Sequence, residues 1–391
     1  MPTDSRDKRL LRRALELARA GIGLASPNPY VGAVITGADG NVVGEGTYTY
    51  ADVKHAEILA LSAAGERARG GTLYINLEPH AHQGRTPPCT DALIAAGIRR
   101  VVASMADPNP KVSGRGFEQL RAAGVQVEVG GLEDEAKKLN EAFARYIRGG
   151  VPFVTLKSAM TLDGKVAPSA NQKLQARLNT GTDPGFRGPW ITGESARAHV
   201  QELRHRHDAI LVGIGTVLAD DPWLTDRNGK PRRRPLLRVV LDSHLRLPLE
   251  SRLVQSAAQA KSNDLLAFCA SSDNGLCHEK RARLEQAGIR VETVSLGPDG
   301  RLDLHAILRS LARIEILSVI IEGGSTMNGA ALGAGIVDKV FFYYAPKIFG
   351  EPAIPYSRGT EFSPISLRNV RLHPFDEDFA VEGYLRDPYR E

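Results

Sequence analysis

The chain is short of cysteine and of long apolar runs, and each shortage removes a class of protein. Only three cysteines, Cys89, Cys269 and Cys277, occur in 391 residues. They are too few and too scattered for a disulfide framework and read as thiols. No stretch approaches the roughly 20 consecutive apolar residues that a membrane span needs. The start, Met1-Pro-Thr-Asp-Ser-Arg-Asp-Lys-Arg-Leu10, is charged and lacks the apolar core and small-residue cleavage site of a secretory signal, so a cytoplasmic setting is expected. Aromatic residues make up only 6% of the chain, and no aromatic-interleaved basic patch exists to bind nucleic acid. The net charge of +5 and pI near 9.1 come from dispersed residues, Pro231-Arg-Arg-Arg-Pro235 excepted. Such a balance suits an anionic small molecule.

What remains is an ordinary globular composition, 42% hydrophobic and 24% charged with a mean hydropathy of −0.22. It excludes disorder and collagen. At roughly 100–200 residues per domain, the length implies two domains. Leu10, Leu11, Leu15 and Ala18 recur at helical spacing over residues 8–20, and Gly21 and Gly23 stop that helix before a Pro-Asn-Pro turn at 27–29. Val31–Ile35 and Val42-Val43 read as strands joined by an Asp39-Gly40 hairpin turn. Residues 56–64 and 90–96 read as helices, with strands at 72–77 and 100–104. This alternation predicts an α/β sandwich on a largely parallel sheet. After Gly149-Gly150 the pattern restarts at Phe153-Val-Thr-Leu156, which places a boundary near 148–151 and gives domains of 1–148 and 151–391. The second half predicts strands at 209–212, 237–241, 264–270, 291–294, 318–321 and 339–344 with helices between, again α/β, and a long exposed loop over 168–188.

The chemistry concentrates in the first half. His55-Ala-Glu57 is followed by Glu78-Pro-His80 and by His82-Gln-Gly-Arg-Thr-Pro-Pro-Cys89. A zinc deaminase carries H-x-E followed by P-C-x-x-C, with the Glu moving protons rather than binding metal. Here a His stands at the first Cys position. Zinc lowers the pKa of a bound water to about 7 and so yields a nucleophile for an amidine carbon. His55, His80 and Cys89 are the candidate ligands, with His82 the other candidate for the middle place, leaving a fourth position open, and Glu57 is the candidate catalytic residue. Adjacent prolines stiffen the 84–88 loop that holds Cys89. In the second half, Ile320-Ile-Glu-Gly-Gly-Ser-Thr326 is a strand running into glycines and hydroxyls at a helix start, where backbone N–H groups can approach a pyrophosphate.

Pro27-Asn-Pro-Tyr-Val-Gly32, His55-Ala-Glu57, Leu77-Glu-Pro79, Gly84-Arg-Thr-Pro-Pro-Cys89, Asp91-Ala-Leu-Ile-Ala-Ala-Gly97 and Asp107-Pro-Asn-Pro110 resemble the deaminase half of the RibD family of bifunctional riboflavin-biosynthesis proteins. Lys157-Ser-Ala-Met-Thr-Leu-Asp-Gly-Lys165, Trp190-Ile-Thr-Gly-Glu-Ser-Ala-Arg197, Asp208-Ala-Ile-Leu-Val-Gly213 and Asp220-Asp-Pro222 resemble its reductase half. The resemblance implies a cytidine-deaminase-like α/β/α domain followed by a dihydrofolate-reductase-like α/β domain. It also implies Zn2+ and NADPH as cofactors, a phosphorylated pyrimidine as substrate and a homodimer.

Carried over residue by residue, the resemblance places NADPH against Ala159, Trp190, Thr216, Asp220, Ser243 and the loop Gly324, Ser325, Thr326, Met327, Asn328, Gly329 and Ala330. It places the substrate against Arg204, Leu224, Arg227 and Glu322. A ribose phosphate suits the planar forks of arginine on independent grounds. Three positions depart from the family: His80 replaces a zinc Cys, the 168–188 stretch is longer, and Gly188 stands where the family has a Ser. Two other readings compete with the bifunctional one. The first is a reductase whose deaminase domain has lost zinc, and the second is a nucleic-acid deaminase or binding protein using its basic surface.

Overall fold

The computed structural model describes residues 5–82, 87–169, 190–271 and 275–390. They form two compact units: the first runs to Gly150 and takes in Pro231–Arg234, and the second covers Val151–Lys230 and Pro235–Arg390. Residues 84–86 of the proline-stiffened loop, residues 170–188 of the long loop and the side chain of Cys277 lie outside the described residues.

Unit 1 runs α1 (Ser5–Ala20), β1 (Gly32–Thr36), β2 (Val42–Thr47), α2 (Ala56–Ala64), β3 (Thr72–Ile75), α3 (Cys89–Ala95), β4 (Arg100–Ala103), α4 (Arg115–Ala122), β5 (Gln126–Val129), α5 (Glu133–Leu139) and α6 (Glu141–Gly149). Alternation along the strands divides the core. Leu10, Leu11 and Ala14 of α1 cover Val34, Tyr74 and Val102 on one sheet face. On the other face Ala33, Ile35, Leu73, Ile75, Val101 and Ala103 seat α2, α3 and α4. Each fully buried Leu or Ile there contributes about 1.5–3 kcal/mol.

The strand order is β2-β1-β3-β4-β5. The expectation of a largely parallel sheet needs correction here, because β1 pairs antiparallel with both β2 and β3, and only β3-β4-β5 are parallel. The reason is the hairpin. It reverses the chain between β1 and β2, so the crossover through α2 returns β3 parallel to β2 but on the far side of β1.

The helix that carries His55 and Glu57 has an unusually close seat. A Cβ on Gly44 would lie 2.1 Å from the carbonyl oxygen of Ala60, and one on Gly46 would lie 2.1 Å from that of Ala56. Strand β2 therefore touches the backbone of α2 directly, and the buried Ala56, Ala60 and Ala64 complete a contact without bulk.

Unit 2 contains β6 (Phe153–Thr161), β7 (Lys165–Ala167), α7 (Glu194–Arg206), β8 (Ala209–Gly213), α8 (Ile214–Asp220), β9 (Leu237–Leu241), α9 (Arg252–Ala260), β10 (Leu265–Ala270), α10 (Gly275–Gln286), β11 (Arg290–Val294), α11 (Leu304–Arg313), β12 (Ser318–Ile321), α12 (Ser325–Gly333), β13 (Lys339–Ala345), β14 (Ile354–Pro355), β15 (Arg368–Phe375) and β16 (Asp378–Tyr384). Its nine-stranded sheet has the order β11-β10-β9-β8-β12-β6-β13-β16-β15, parallel from β11 through β13 and closed by the antiparallel β16 and β15. Ile210, Val212 and Val240 face the α7 and α9 side, while Leu211, Val239 and Val319 face the α11 and α12 side. Burial on both faces explains why these strands read as unbroken apolar runs.

Replacing Gly46 with Ala drives a methyl into the α2 backbone. We expect Gly46→Ala to cost unit 1 about 1–3 kcal/mol of stability, as overpacking does. Urea unfolding checks this, and a variant as stable as the parent would mean that α2 can back away freely.

Candidate active sites

In unit 1, His55 is the N-cap of α2, with extended backbone, and Glu57 lies in the first turn of that helix. Cys89 opens α3 and is fully buried. The carbonyl of His80 accepts hydrogen bonds from the N–H groups of Cys89 (3.1 Å) and Thr90 (3.4 Å). Residue 80 is thus fixed beside Cys89 by its main chain, whatever its side chain. The structure brings all three expected ligands together: one ligand atom from each of His55, Glu57, His80 and Cys89 lies within 4.8 Å of the others. Cys89 Sγ is 3.3 Å from His55 Nδ1, and the rings of His55 and His80 are 4.2 Å apart. Zinc with nitrogen at about 2.0–2.1 Å and sulfur at about 2.3 Å in a tetrahedron spaces the two donors by roughly 3.6 Å. This donor set therefore fits a zinc ion.

Burial pushes the Glu57 carboxyl up from its ordinary range, against the opposing pull of His55. Burial, with the Glu57 charge beside it, likewise pushes the Cys89 thiol up. A divalent ion would reverse the second shift by taking the thiolate as ligand. His82, which is exposed, meets the His80 ring edge-on at 5.4 Å and lies outside the four-residue group.

Glu78 has a role that the sequence reading did not see. Its buried carboxylate accepts hydrogen bonds from the N–H groups of Asp107 (3.0 Å), Gly114 (2.9 Å) and Gly116 (2.8 Å). It ties the 107–116 loop to the end of β3, beside His80. Burial raises the neighbouring Asp107 carboxyl to about 6, with the Glu78 charge adding to the effect. The Leu77-Glu-Pro79 motif marks Glu78 but not this role, since its partners are anonymous backbone donors 29 to 38 residues away.

In unit 2 the expected cofactor residues collect at the carboxyl ends of parallel strands. Thr216 and Asp220 lie on α8 after β8, Ser243 follows β9, and Gly324–Ala330 follow β12, while Ala159 lies on β6. Open α/β sheets bind ligands in that place. Gly324 is the N-cap of α12 and a Cβ there would meet nothing within 4 Å. Ser325 Oγ and Asn328 Oδ1 are buried without a hydrogen-bond partner. The Ser325 hydroxyl, a donor at an unobstructed helix start, fits a dinucleotide phosphate, whereas the Asn328 amide oxygen is an acceptor and does not. Trp190 is exposed, with the Arg197 guanidinium 5.6 Å from its ring centroid.

The expected substrate residues meet differently. Arg204 Nε and Nη2 clamp Glu322 Oε1 and Oε2 at 2.6 and 3.0 Å, and Arg204 Nη1 donates to the Thr225 carbonyl at 3.0 Å. Lys157, in the Lys157–Lys165 motif, also reaches Glu322 at 3.4 Å. Arg204 is therefore engaged by Glu322 rather than turned outward as a phosphate fork. Arg227 is exposed. Leu224 is buried at a left-handed φ of 51°, a conformation that costs a non-glycine residue about 1–3 kcal/mol and tends to mark functional positions. Although burial opposes ionisation, the Arg204 and Lys157 charges hold the Glu322 carboxyl down at about 2.

Two outcomes follow for unit 2. Arg204→Ala strands the buried Glu322 and should cost about 3–5 kcal/mol in urea unfolding, as breaking a buried ion pair does. Because the folded pKa of Glu322 lies below its ordinary 4.5, its contribution is complete above that pH and is lost as pH falls toward about 2. Unfolding free energies measured down that range should decline, and a flat profile would contradict the pairing.

Comparison with known proteins places both halves of the chain. Residues 4–105 match the cytidine and deoxycytidylate deaminase zinc-binding region, and residues 152–381 match the RibD C-terminal domain. The riboflavin biosynthesis protein RibD of Actinobacillus pleuropneumoniae is 42% identical over 340 residues, 87% of this chain and 84% of that one. RibD of Aquifex aeolicus is 40% identical over 364 residues, 93% and 92% of the two chains. Among solved structures, Acinetobacter baumannii RibD superposes with a TM-score of 0.80 at 33% identity, covering 97% of this chain and 98% of that one. A Thermotoga maritima protein described as a diaminohydroxyphosphoribosylaminopyrimidine deaminase/5-amino-6-(5-phosphoribosylamino)uracil reductase does so at 0.77 and 35%, with the same coverage. With its deaminase-type zinc cluster, its reductase-type second half and relatives of this identity along nearly its whole length, the chain belongs to the RibD family of riboflavin biosynthesis proteins.

Proposed function

We propose that residues 1–148 hydrolytically deaminate 2,5-diamino-6-ribosylamino-4(3H)-pyrimidinone 5′-phosphate and that residues 151–391 reduce the ribosyl side chain of the product to ribityl with NADPH. The observation that carries the deaminase half is the convergence of His55, Glu57, His80 and Cys89 within 4.8 Å. His55, His80 and Cys89 would hold a zinc ion, whose chemistry would be to make a water acidic enough to serve as nucleophile near neutral pH. Glu57, in the first turn of α2 and shielded from solvent, would take the proton of the attacking water and pass protons to the ring nitrogen and the departing ammonia.

In the reductase half, Gly324 and Ser325 receive the cofactor phosphate at the start of α12, and Thr216, Ser243 and Ala159 line the adjoining strand ends. NADPH supplies the hydride, and the protein positions it. Arg227 grips the substrate phosphate, while Arg204, Glu322 and Leu224 shape the floor. Resemblance to the family supports a homodimer in the cytoplasm; among the described residues no helix is long and apolar enough to cross a membrane.

Metal analysis of the purified chain should find about one zinc per protomer. Less than one zinc per several chains would instead favour a reductase with an inert first domain. Glu57→Gln should lower deamination by about 10²–10⁴-fold, the usual worth of a proton-transfer group, and leave NADPH oxidation intact. Chelation should act in the same selective way. His80→Cys should keep both zinc and deamination, and His80→Ala should lose zinc; retention of metal by the Ala variant would show that residue 80 is not a ligand.

A further inference from the structure

The basic run Pro231-Arg-Arg-Arg-Pro235, three consecutive arginines between prolines, has no part in either reaction as described above. Its first four residues pack with unit 1, although the chain on both sides, to Lys230 and from Pro235, belongs to unit 2. We infer that this segment is a strap for the deaminase site and that Arg233 is a positioning residue for deamination. The inference rests on the deaminase reading of unit 1.

The contacts are specific. The Arg233 N–H donates to the Gly23 carbonyl at 2.8 Å, and its Nη1 donates to the Ser26 carbonyl at 2.6 Å. The same guanidinium stacks on the Tyr50 ring, 3.4 Å from its centroid. Arg234 Nη2 reaches Ser26 Oγ at 3.5 Å. The Arg233 side chain therefore ties Ser26 to Tyr50, while its main chain holds Gly23, and those two stretches flank the Pro27-Asn28-Pro29 turn on one side and Tyr48 on the other. Turn and tyrosine are themselves joined, since Asn28 Nδ2 donates to the Tyr48 hydroxyl at 2.5 Å. Tyr48 in turn stands edge-on to the His55 ring at 5.7 Å. The chain of contacts from Arg233 thus ends on a zinc ligand, and it runs through a wall of loop rather than through the helices that carry the ligands.

The wall is irregular backbone between α1 and β1 and between β2 and α2, joined by two main-chain hydrogen bonds, Tyr50 N–H to the Leu24 carbonyl (3.0 Å) and Tyr48 N–H to the Val31 carbonyl (2.9 Å), rather than by an extended ladder. An arginine that clips two such stretches raises the fraction of time that the wall is formed. Apparent affinity scales with that fraction. Removing the clip should therefore raise the KM for deamination more than it lowers kcat, because His55, Glu57 and Cys89 stay seated on α2 and α3. Arg233 is exposed, and a cation–π contact plus one hydrogen bond is a modest interaction, so the effect should be about three- to tenfold and the fold should survive.

The test uses the full-length chain, with both half-reactions measured on the same preparation and zinc determined in parallel. Arg233→Ala and Tyr50→Ala should each raise the deaminase KM about three- to tenfold, with kcat within about twofold of the parent. The double variant should be no worse than the poorer single, since both remove the same contact. Tyr50→Phe, which keeps the ring, should behave as the parent. Zinc content, thermal midpoint and the reductase KM for NADPH should not move. An unchanged deaminase KM in Arg233→Ala, or a parallel fall in both activities with a lowered melting point, overturns the assignment. Absence of deamination in the unmodified chain would refute the deaminase reading itself and not the strap.

Discussion

A zinc ion accepts ligands only within about 2.0–2.3 Å, and in unit 1 the three donors come from separate places in the chain. The site therefore depends on holding the N-termini of α2 and α3 against each other to within a few tenths of an ångström. Two devices achieve it. Gly44 and Gly46 let the α2 backbone rest directly on β2, which sets the depth of His55 and Glu57. The His80 carbonyl caps α3, which ties the loop after β3 to the residue that carries Cys89. Glu78, bonded to backbone donors of the 107–116 loop, braces that same loop from behind. Replacing the family Cys by His80 is compatible with this arrangement because the main chain, not the ligand type, fixes the position.

Unit 2 meets a different demand by different means. Its ligands are large and anionic, so it offers strand ends, helix starts and fixed charges rather than a tight donor shell. The parallel run from β11 to β13 places several loops on one edge, and the start of α12 presents backbone N–H groups free of side chains. The buried cluster of Arg204, Glu322 and Lys157 stands beneath that edge. A buried ion pair is weak evidence of net stability, but it resists rearrangement, since separating its members leaves a charge unsolvated. That rigidity suits the substrate floor proposed for these residues.

Much of the fold was legible in the sequence because local signals were strong. Helix α2 was expected over 56–64 and spans those same residues, and the strands of the second half read clearly because burial on both faces makes them uniformly apolar. The errors have a common cause. The first sheet was read as largely parallel, yet strand direction depends on which neighbour a crossover chooses, and no residue in β1 or β3 records that choice. The terminal strands β15 and β16 were not anticipated, and β15 is largely exposed, without the apolar alternation that marks a strand facing a core.

The same division holds for the sites. The sequence by itself determined the chemistry, since His55, Glu57 and Cys89 are chemically unusual residues in an ordered pattern, and the glycines and hydroxyls after β12 announce a phosphate. Only the tertiary structure decided the partnerships. It paired Arg204 with Glu322 rather than leaving it for a phosphate, gave Glu78 its loop and carried Arg233 onto Ser26 and Tyr50. The physical reason is that ligand atoms and nucleophiles are named by side chains, whereas hydrogen bonds to main-chain groups and contacts across long stretches of chain are set by geometry that any residue can share.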